Sequence, residues 1–363
     1  MEFPRDSFLS LIKDSPDEYK KATTEYADRL LSKGLPVIFS LKHLGVLLNV
    51  EYRDMCMLVH FPDGYYAYFL IKKKKGGYRR IVVPYDNLKH IQRWILHNIL
   101  SKIPVHKQCV GFMKGKNTLD NAKAHVGKKY IRKFDFKNFF ESINARQVYY
   151  VFRNVGYSPS VSRCLASLCT LKIEDNKYDY LPPYKKIWFK DLHDTTIAVL
   201  PQGAPTSPAL ANIICNNLDK RFFSYALKNN LTYTRYADDV TFSCDDPSLL
   251  PNVSFVRKVV GSEGLSLNEK KTGTYGQDSR QMVTGILIDG EKAHVPQKFK
   301  REIYRHLHFC KKYGTHEHFR HIAPDKSNPR AWIYGKIHYV NAIEPEEAKK
   351  MFALADELDW GIL

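Results

Sequence analysis

Tyr233-Thr234-Arg235-Tyr236-Ala237-Asp238-Asp239-Val240-Thr241-Phe242-Ser243-Cys244 is the stretch on which the reading of this chain turns. Two short runs rich in β-formers flank Ala237-Asp238-Asp239. In the second, Val240, Phe242 and Cys244 alternate with Thr241 and Ser243, the period-2 pattern of a strand. The segment predicts a β-hairpin whose solvent-facing tip carries two adjacent carboxylates. At a separation of about 4 Å they repel by roughly 4 kcal/mol at an effective dielectric near 20, so a fold that pins them together calls for a cation. Oxygen-only ligands favour a hard ion, Mg²⁺, with Mn²⁺ as a substitute. Taken alone, the pair also fits an acidic turn, which is how Asp245-Asp246-Pro247 reads.

A third carboxylate in a matching setting favours the cation. Tyr130-Ile131-Arg132-Lys133-Phe134-Asp135-Phe136 reads as a strand ending at Asp135, followed by Phe139, Phe140 and Glu141-Ser142-Ile143. One strand-end Asp with two hairpin-tip Asp residues matches the ligand set for two divalent ions about 3.5–4 Å apart, the arrangement that serves nucleotidyl transfer.

Tyr236-Ala237-Asp238-Asp239 resembles the catalytic box of reverse transcriptases, and supporting motifs stand around it in that family's order. Gly77-Tyr78-Arg79-Arg80-Ile81-Val82-Val83-Pro84, Phe134-Asp135 with Phe139-Phe140, and Pro201-Gln202-Gly203-Ala204-Pro205-Thr206-Ser207-Pro208 lie upstream. Leu267-Asn268-Glu269-Lys270-Lys271-Thr272 lies downstream. Several ordered motifs over roughly residues 70 to 290 argue against a chance match. Asn121-Ala122-Lys123-Ala124-His125 and Val283-Thr284-Gly285 further resemble the additional motifs of retron-type enzymes.

The resemblance implies an α+β, right-hand polymerase fold of fingers, palm and thumb, with a mostly antiparallel palm sheet and a helical thumb. Residues 1–60 would form an N-terminal helical extension, 61–290 the fingers and palm, and 291–363 an RNA-binding thumb. Asp135, Asp238 and Asp239 would be catalytic and, with the Phe136 carbonyl, would hold two Mg²⁺ ions; which carboxylate holds which ion stays open. Arg80 and Arg79 would meet the triphosphate, Gln202 the incoming nucleotide or template base, and Lys271 the nucleotide. Phe140 would lie under the sugar as a steric gate. Asn121 and His125, four apart and so on one helix face, would contact a cognate noncoding RNA. A change at His125 is then expected to impair initiation on that RNA more than extension of an annealed primer. The implied partners are that RNA, its single-stranded DNA product, deoxynucleoside triphosphates and the effector protein of an anti-phage system.

Composition points the same way. The 56 lysines and arginines exceed the 38 acidic residues to give a net charge of +18, an excess suited to a polyanion whose binding falls steeply with salt. Seven scattered cysteines, odd in number and never in a CxxC pair, read as reduced packing residues of a cytosolic protein, and the resemblance implies a bacterial one. No apolar run is long enough to span a bilayer and the N-terminus is no signal peptide, so no membrane partner is expected.

Along the chain, Ser15-Pro16-Asp17-Glu18 predicts a capping box opening a helix to about Ser32, and a second helix follows near Leu41–Leu48. Tyr65–Ile71 and Arg79–Val83 read as strands joined by the basic turn Lys72-Lys73-Lys74-Lys75-Gly76-Gly77. Leu88–Ile103, Ala145–Val155 and Ser158–Leu171 read as helices, and Leu210, Ile213, Ile214, Leu218, Phe222 and Tyr225 as one apolar helical stripe. The stretch 172–200 departs from the compact retron pattern and reads as an ordered insertion or a partner surface. On Gln297–Tyr313, Phe299, Ile303, Leu307 and Cys310 form an apolar face. Lys298, Arg301, Arg305, His308 and Lys312 form a basic one free for a nucleic-acid backbone. His306, His308, His316, His318 and His321 invite a metal reading, against which stand the positive surroundings and the lack of an i, i+4 pair with an acidic base.

Four readings compete, one of them a retron-type enzyme that also acts as a scaffold or antitoxin for an effector, which is compatible with polymerase activity. A group II intron maturase would be expected to carry a longer thumb and a DNA-binding tail. A viral-type RNA-dependent RNA polymerase would not place bulky Phe140 where a ribose 2′-OH must fit. A non-enzymatic RNA-binding module would be expected to have lost a carboxylate, and all three are present.

Overall fold

Tyr66–Lys72 (β1) and Tyr78–Pro84 (β2) pair antiparallel, with Leu70 opposite Arg80 and Tyr66 opposite Pro84. They belong to a computed structural model that describes residues 3–73, 78–173, 197–322 and 328–361. The tip of the basic turn, 74–77, and most of the expected insertion, 174–196, lie outside the described residues. The chain divides into two units, each assembled from separated stretches. The first comprises Met1–Lys107, Phe136–Arg221 and Val253–Asn268; the second comprises Gln108–Asp135, Phe222–Asn252 and Glu269–Leu363.

In the first unit, the helices Asp86–Asn98, Ala145–Val155 and Pro159–Cys169 bury Leu88, Ile91, Ile95, Val148, Phe152 and Leu165. Asn144 starts the second of them through a capping box with Gln147, reciprocal bonds that satisfy backbone donors at the helix start. The box expected at Ser15 does not form: the helix runs Asp17–Leu31 with Pro16 at the N-cap and no side-chain cap. The apolar stripe from Leu210 to Tyr225 is two helices, Ser207–Ile214 and Asn216–Lys228, parted at Cys215. The break falls where Ile213-Ile214 meets Asn216-Asn217, residues of weak helix propensity. Backbone bonds between Leu171 and Val199, both 2.9 Å, draw the ends of the expected insertion together.

The second unit holds a four-stranded antiparallel sheet of Tyr130–Asp135 (β3), Thr232–Tyr236 (β4), Asp239–Cys244 (β5) and Gly273–Tyr275 (β6), in the order β4-β5-β3-β6. Phe242 packs edge-on against Phe134 and Phe222 on one face. Thr234, Thr241 and Ser243, the polar alternates, are buried too, so this hairpin is covered on both faces. A small hairpin, Met282–Val283 (β7) with Ile286–Leu287 (β8), turns at Thr284 and Gly285, both at positive φ as a two-residue type I′ turn requires. Among the described residues four helices follow, Gln297–Tyr313, Thr315–Ile322, Pro329–Asn341 and Pro345–Asp356. All four contribute to one core, which takes in Ile303, Leu307, Phe319, Ile333, Ile337, Val340 and Met351.

All seven cysteines are free. Among the described residues, no helix is long and apolar enough to cross a membrane.

Candidate catalytic site

The antiparallel register sets Asp239 directly opposite Asp135 and opposite Tyr236, so β5 brings all three carboxylates to one end of the sheet. Like charges in directly opposed positions destabilise a sheet. Burial and then the Asp135 charge, with Asp239 adding, push the Asp238 carboxyl up to about 6. Burial also raises Asp239, against the pull of Lys133. The tip is half-buried, not solvent-facing as its sequence suggested.

Two lysines answer this repulsion. Lys271 donates to both Asp135 oxygens at 3.0 and 2.9 Å, and the Lys133 ammonium lies 3.6 Å from Asp239. Lys271, expected at the nucleotide, is therefore drawn onto a carboxylate, because an uncompensated acidic cluster attracts the nearest ammonium. Among the described residues no three His, Cys, Asp or Glu side chains are already gathered as a metal cage. The donor set nevertheless fits a hard divalent cation: it offers only oxygen, and at Asp238 and Asp239 burial, then the neighbouring carboxylates, raises the carboxyls in a way that a bound cation would offset.

The tip is braced from behind by residues that the sequence reading passed over. Ala237 turns at φ 56°. Fully buried Arg235 donates to the Ala237 carbonyl at 3.1 Å and reaches Cys109 Sγ at 3.2 Å. The Gln108–Gly111 segment lies alongside, with Val110 N–H donating to the Arg235 carbonyl and Arg235 N–H to that of Gln108, both at 2.9 Å. A charged residue inside an apolar strand and a glycine in the preceding loop were the available signals.

The remaining nucleotide-site candidates lie in the first unit. Arg80, expected to face a triphosphate, is buried and ion-paired to Glu141 at 2.9 Å. Strand alternation allows only one of Arg79 and Arg80 to point inward, and it is Arg79 that is exposed. Gln202 is partly exposed, and its carbonyl accepts from Val82 N–H at 2.8 Å, stapling the loop to β2. Gly203, at φ 132°, has no room for a Cβ, which would stand 2.8 Å from the Val82 carbonyl oxygen. Phe140 is partly buried with its ring 5.3 Å from that of Phe139, and buried Phe136 forms an antiparallel bridge with Leu267.

Asn121 and His125 do not share an exposed helix face. The helix ends at Lys123, and both side chains are buried, at 1% and 0% exposure, which removes them as RNA contacts. His125 instead places Nδ1 2.7 Å from Ser243 Oγ and Nε2 2.7 Å from Thr234 Oγ1. The segment meets the Val283-Thr284-Gly285 motif, for Ala122 packs with Val283, Ile286 and Ile288, and Thr284 Oγ1 donates to the Thr118 carbonyl at 2.9 Å.

On Gln297–Tyr313, Ile303, Leu307 and Cys310 are buried and Lys298, Arg301, Arg305, His308 and Lys312 exposed. Lys300 and Lys311 pair with Glu344 and Glu357, whereas among the described residues Lys298, Arg301 and Arg305 form no ion pair. His306 Nδ1 lies 2.9 Å from His318 Nε2, a two-histidine contact that no third His, Cys, Asp or Glu joins among the described residues.

Residues 71–287 match the family described as reverse transcriptase (RNA-dependent DNA polymerase). The chain is 34% identical over 297 residues to the retron Ec86 reverse transcriptase of Escherichia coli, covering 80% of this chain and 85% of that one. To the retron Mx65 reverse transcriptase of Myxococcus xanthus it is 33% identical over 328 residues, 89% of this chain and 73% of the relative. The retron Mx162 enzyme of the same organism is 35% identical over 267 residues, 68% of this chain and 53% of its own length. With the three carboxylates gathered at one sheet end and these relatives around it, the chain belongs to the reverse transcriptases, in their retron-type group, and is an RNA-directed DNA polymerase.

Proposed function

We propose that this polymerase copies part of a dedicated structured RNA into single-stranded DNA, beginning from the 2′-OH of an internal guanosine and leaving a branched RNA–DNA product. On this reading it works in the bacterial cytoplasm as part of an anti-phage system with an effector protein as partner. The observation that carries the reading is the joining of the two retron-like motifs into one body, in which Thr284 bonds Thr118 and Ala122 packs under the β7–β8 hairpin. Exposed Lys114, Lys116 and Lys123 flank that body and supply phosphate contacts in place of buried Asn121 and His125.

Asp135, Asp238 and Asp239, with the Phe136 carbonyl, would hold two Mg²⁺ ions, Mn²⁺ substituting, which when bound supply hydroxyl activation and charge neutralisation at the triphosphate. The chain's own work is positioning: exposed Arg79 would meet the triphosphate, and Gln202 the incoming nucleotide or template base. Such a site asks only that a hydroxyl stand in line with the α-phosphate, so a 2′-OH serves if the protein aligns it. Residues 1–60 act as the N-terminal extension, 61–290 as fingers and palm, and 291–363 as thumb.

Treating nucleic acid from cells expressing the locus with debranching enzyme tests the priming. A shift in the DNA's mobility is expected; DNA that runs identically before and after treatment would return the protein to the wider class of bacterial reverse transcriptases.

Two residues of this reading have their own tests. Phe140→Ala should admit ribonucleotides by removing an aromatic from beneath the incoming sugar, read as the ratio of ribo- to deoxynucleotide incorporation. An unchanged ratio in a folded variant places the gate elsewhere. Arg301→Ala with Arg305→Ala should weaken RNA binding and flatten the salt slope by about 1–2 units, since each phosphate contact contributes about 0.9. A salt titration with an unaltered slope assigns that face to solvent.

A further inference from the structure

We propose that His125 is a positioning residue for polymerisation, its imidazole clamping the two strands of the catalytic hairpin by one hydrogen bond to each. Nε2 meets Thr234 Oγ1 on β4 and Nδ1 meets Ser243 Oγ on β5, both at 2.7 Å. Thr232 pairs with Ser243 and Thr234 with Thr241, so Thr234 and Ser243 are diagonal neighbours on one face. Diagonal positions stand about 7–8 Å apart, too far for one hydroxyl to reach the other. An imidazole, with a nitrogen on each side of the ring, spans the gap.

The ring is suited to hold this bridge unchanged. Burial and the Lys133 charge push its pKa down to about 3, so it is neutral at any working pH, with one N–H donor and one lone pair. One hydroxyl therefore donates to it and the other accepts. The segment that delivers it is fixed as well: a capping box between Asn117 and Asp120 opens the helix, and fully buried Ala122 seats it against Val283 and Ile286.

The bridge bears on chemistry through the hairpin. Thr234 lies three residues before Ala237, and Ser243 four after Asp239. A diagonal bond resists sliding of β4 along β5, which would carry Asp238 and Asp239 away from their places beside Asp135. Misplacement by about 1 Å can cost on the order of 100-fold in rate. The motif thus acts on every round of nucleotide addition, and initiation and extension should suffer alike when it is altered.

The test uses the full chain extending a DNA primer annealed to an RNA template. His125→Phe keeps a ring without its hydrogen bonds, and is expected to lower kcat at least about tenfold while KM for the deoxynucleotide and Kd for the template–primer change by less than about twofold. His125→Gln, whose amide both donates and accepts, should recover part of the lost kcat. Thr234→Val with Ser243→Ala should reproduce the kcat loss, and adding His125→Phe to that pair should bring no further loss, because one interaction is being removed twice. Should His125→Phe fail to fold by circular dichroism, the hydroxyl pair carries the same split between kcat and KM. Wild-type kcat in folded His125→Phe, losses that multiply independently, or a fall in template affinity at unchanged kcat would overturn the clamp. The clamp rests on the polymerase activity: a wild-type chain that extends no primer rejects that activity, whereas variants that match an active wild type reject the clamp alone.

Discussion

Asp238→Asn combined with Asp239→Asn is expected to lower DNA synthesis at least about 1000-fold while leaving the chain folded. The magnitude follows from removing carboxylates that, on the proposed reading, would hold ions supplying several kcal/mol of transition-state charge stabilisation, at tenfold per 1.36 kcal/mol. Folding should survive because the substitutions relieve repulsion in the sheet rather than open a cavity. Asp239 faces Asp135 across β3 and β5, and the Asp238 carboxyl stands at about 6 against an ordinary 3.8.

That shift fixes the sign of a pH test in metal-free buffer. A carboxyl raised in the folded state binds its proton more tightly than in the unfolded chain. It therefore contributes stability fully below about 3.8 and loses it as pH rises through about 6. Wild-type chain in chelator should thus lose melting temperature between pH 5 and 7 by an increment that the double variant lacks, and Mg²⁺ should raise the wild-type melt more at pH 7 than at pH 5. Retained primer extension by a folded double variant would reject the carboxylates as the metal site. Equal pH slopes in the two proteins would reject the charge crowding at Asp238.

Gly111→Ala is expected to cost on the order of 100-fold in kcat through a single added methyl group. A Cβ there would stand 2.6 Å from the Ala237 backbone nitrogen and 3.1 Å from the Tyr236 Cα. Neither neighbour is a flexible side-chain end: Ala237 sits at φ 56° at the turn of the catalytic hairpin, and its carbonyl is held by Arg235. The hairpin backbone must move, and Asp238 and Asp239 move with it. Gly335→Ala is the control: nothing lies within 4 Å of its Cβ, and a helical Gly→Ala change stabilises by about 0.5–1 kcal/mol. Steady-state kinetics on an annealed primer decide the matter. Gly111→Ala with kcat within twofold of wild type would show that the Gln108–Gly111 segment does not support the catalytic tip.

The elements that chemistry marks locally were legible before any fold was in hand. The alternation of Val240, Phe242 and Cys244, the strand ending at Asp135, and the apolar stripe of Ile303, Leu307 and Cys310 all appear where expected, as Asp239–Cys244, Tyr130–Asp135 and Gln297–Tyr313. Side-chain periodicity is a property of the local chain, so sequence carries it. Helix starts were less legible. Ser15 promised a cap it does not make, whereas Asn117 and Asn144 make theirs with Asp120 and Gln147.

By itself the sequence determined the polymerase core: three carboxylates, their order, and the motifs around them carry the reverse transcriptase reading without coordinates. Only the tertiary structure decided what the flanking residues do. His125 read as an RNA contact on a helix face shared with Asn121, yet it lies sealed between Thr234 and Ser243. Arg80 read as a phosphate ligand and is buried against Glu141; Lys271 read as a nucleotide ligand and lies on Asp135. Gly111 and Arg235, given no role in the sequence reading, brace the tip. The reason is that burial and partnership are properties of pairs distant along the chain. His125 meets Ser243 across 118 residues and Lys271 meets Asp135 across 136, and no local pattern encodes which remote hydroxyl or carboxylate a side chain will find.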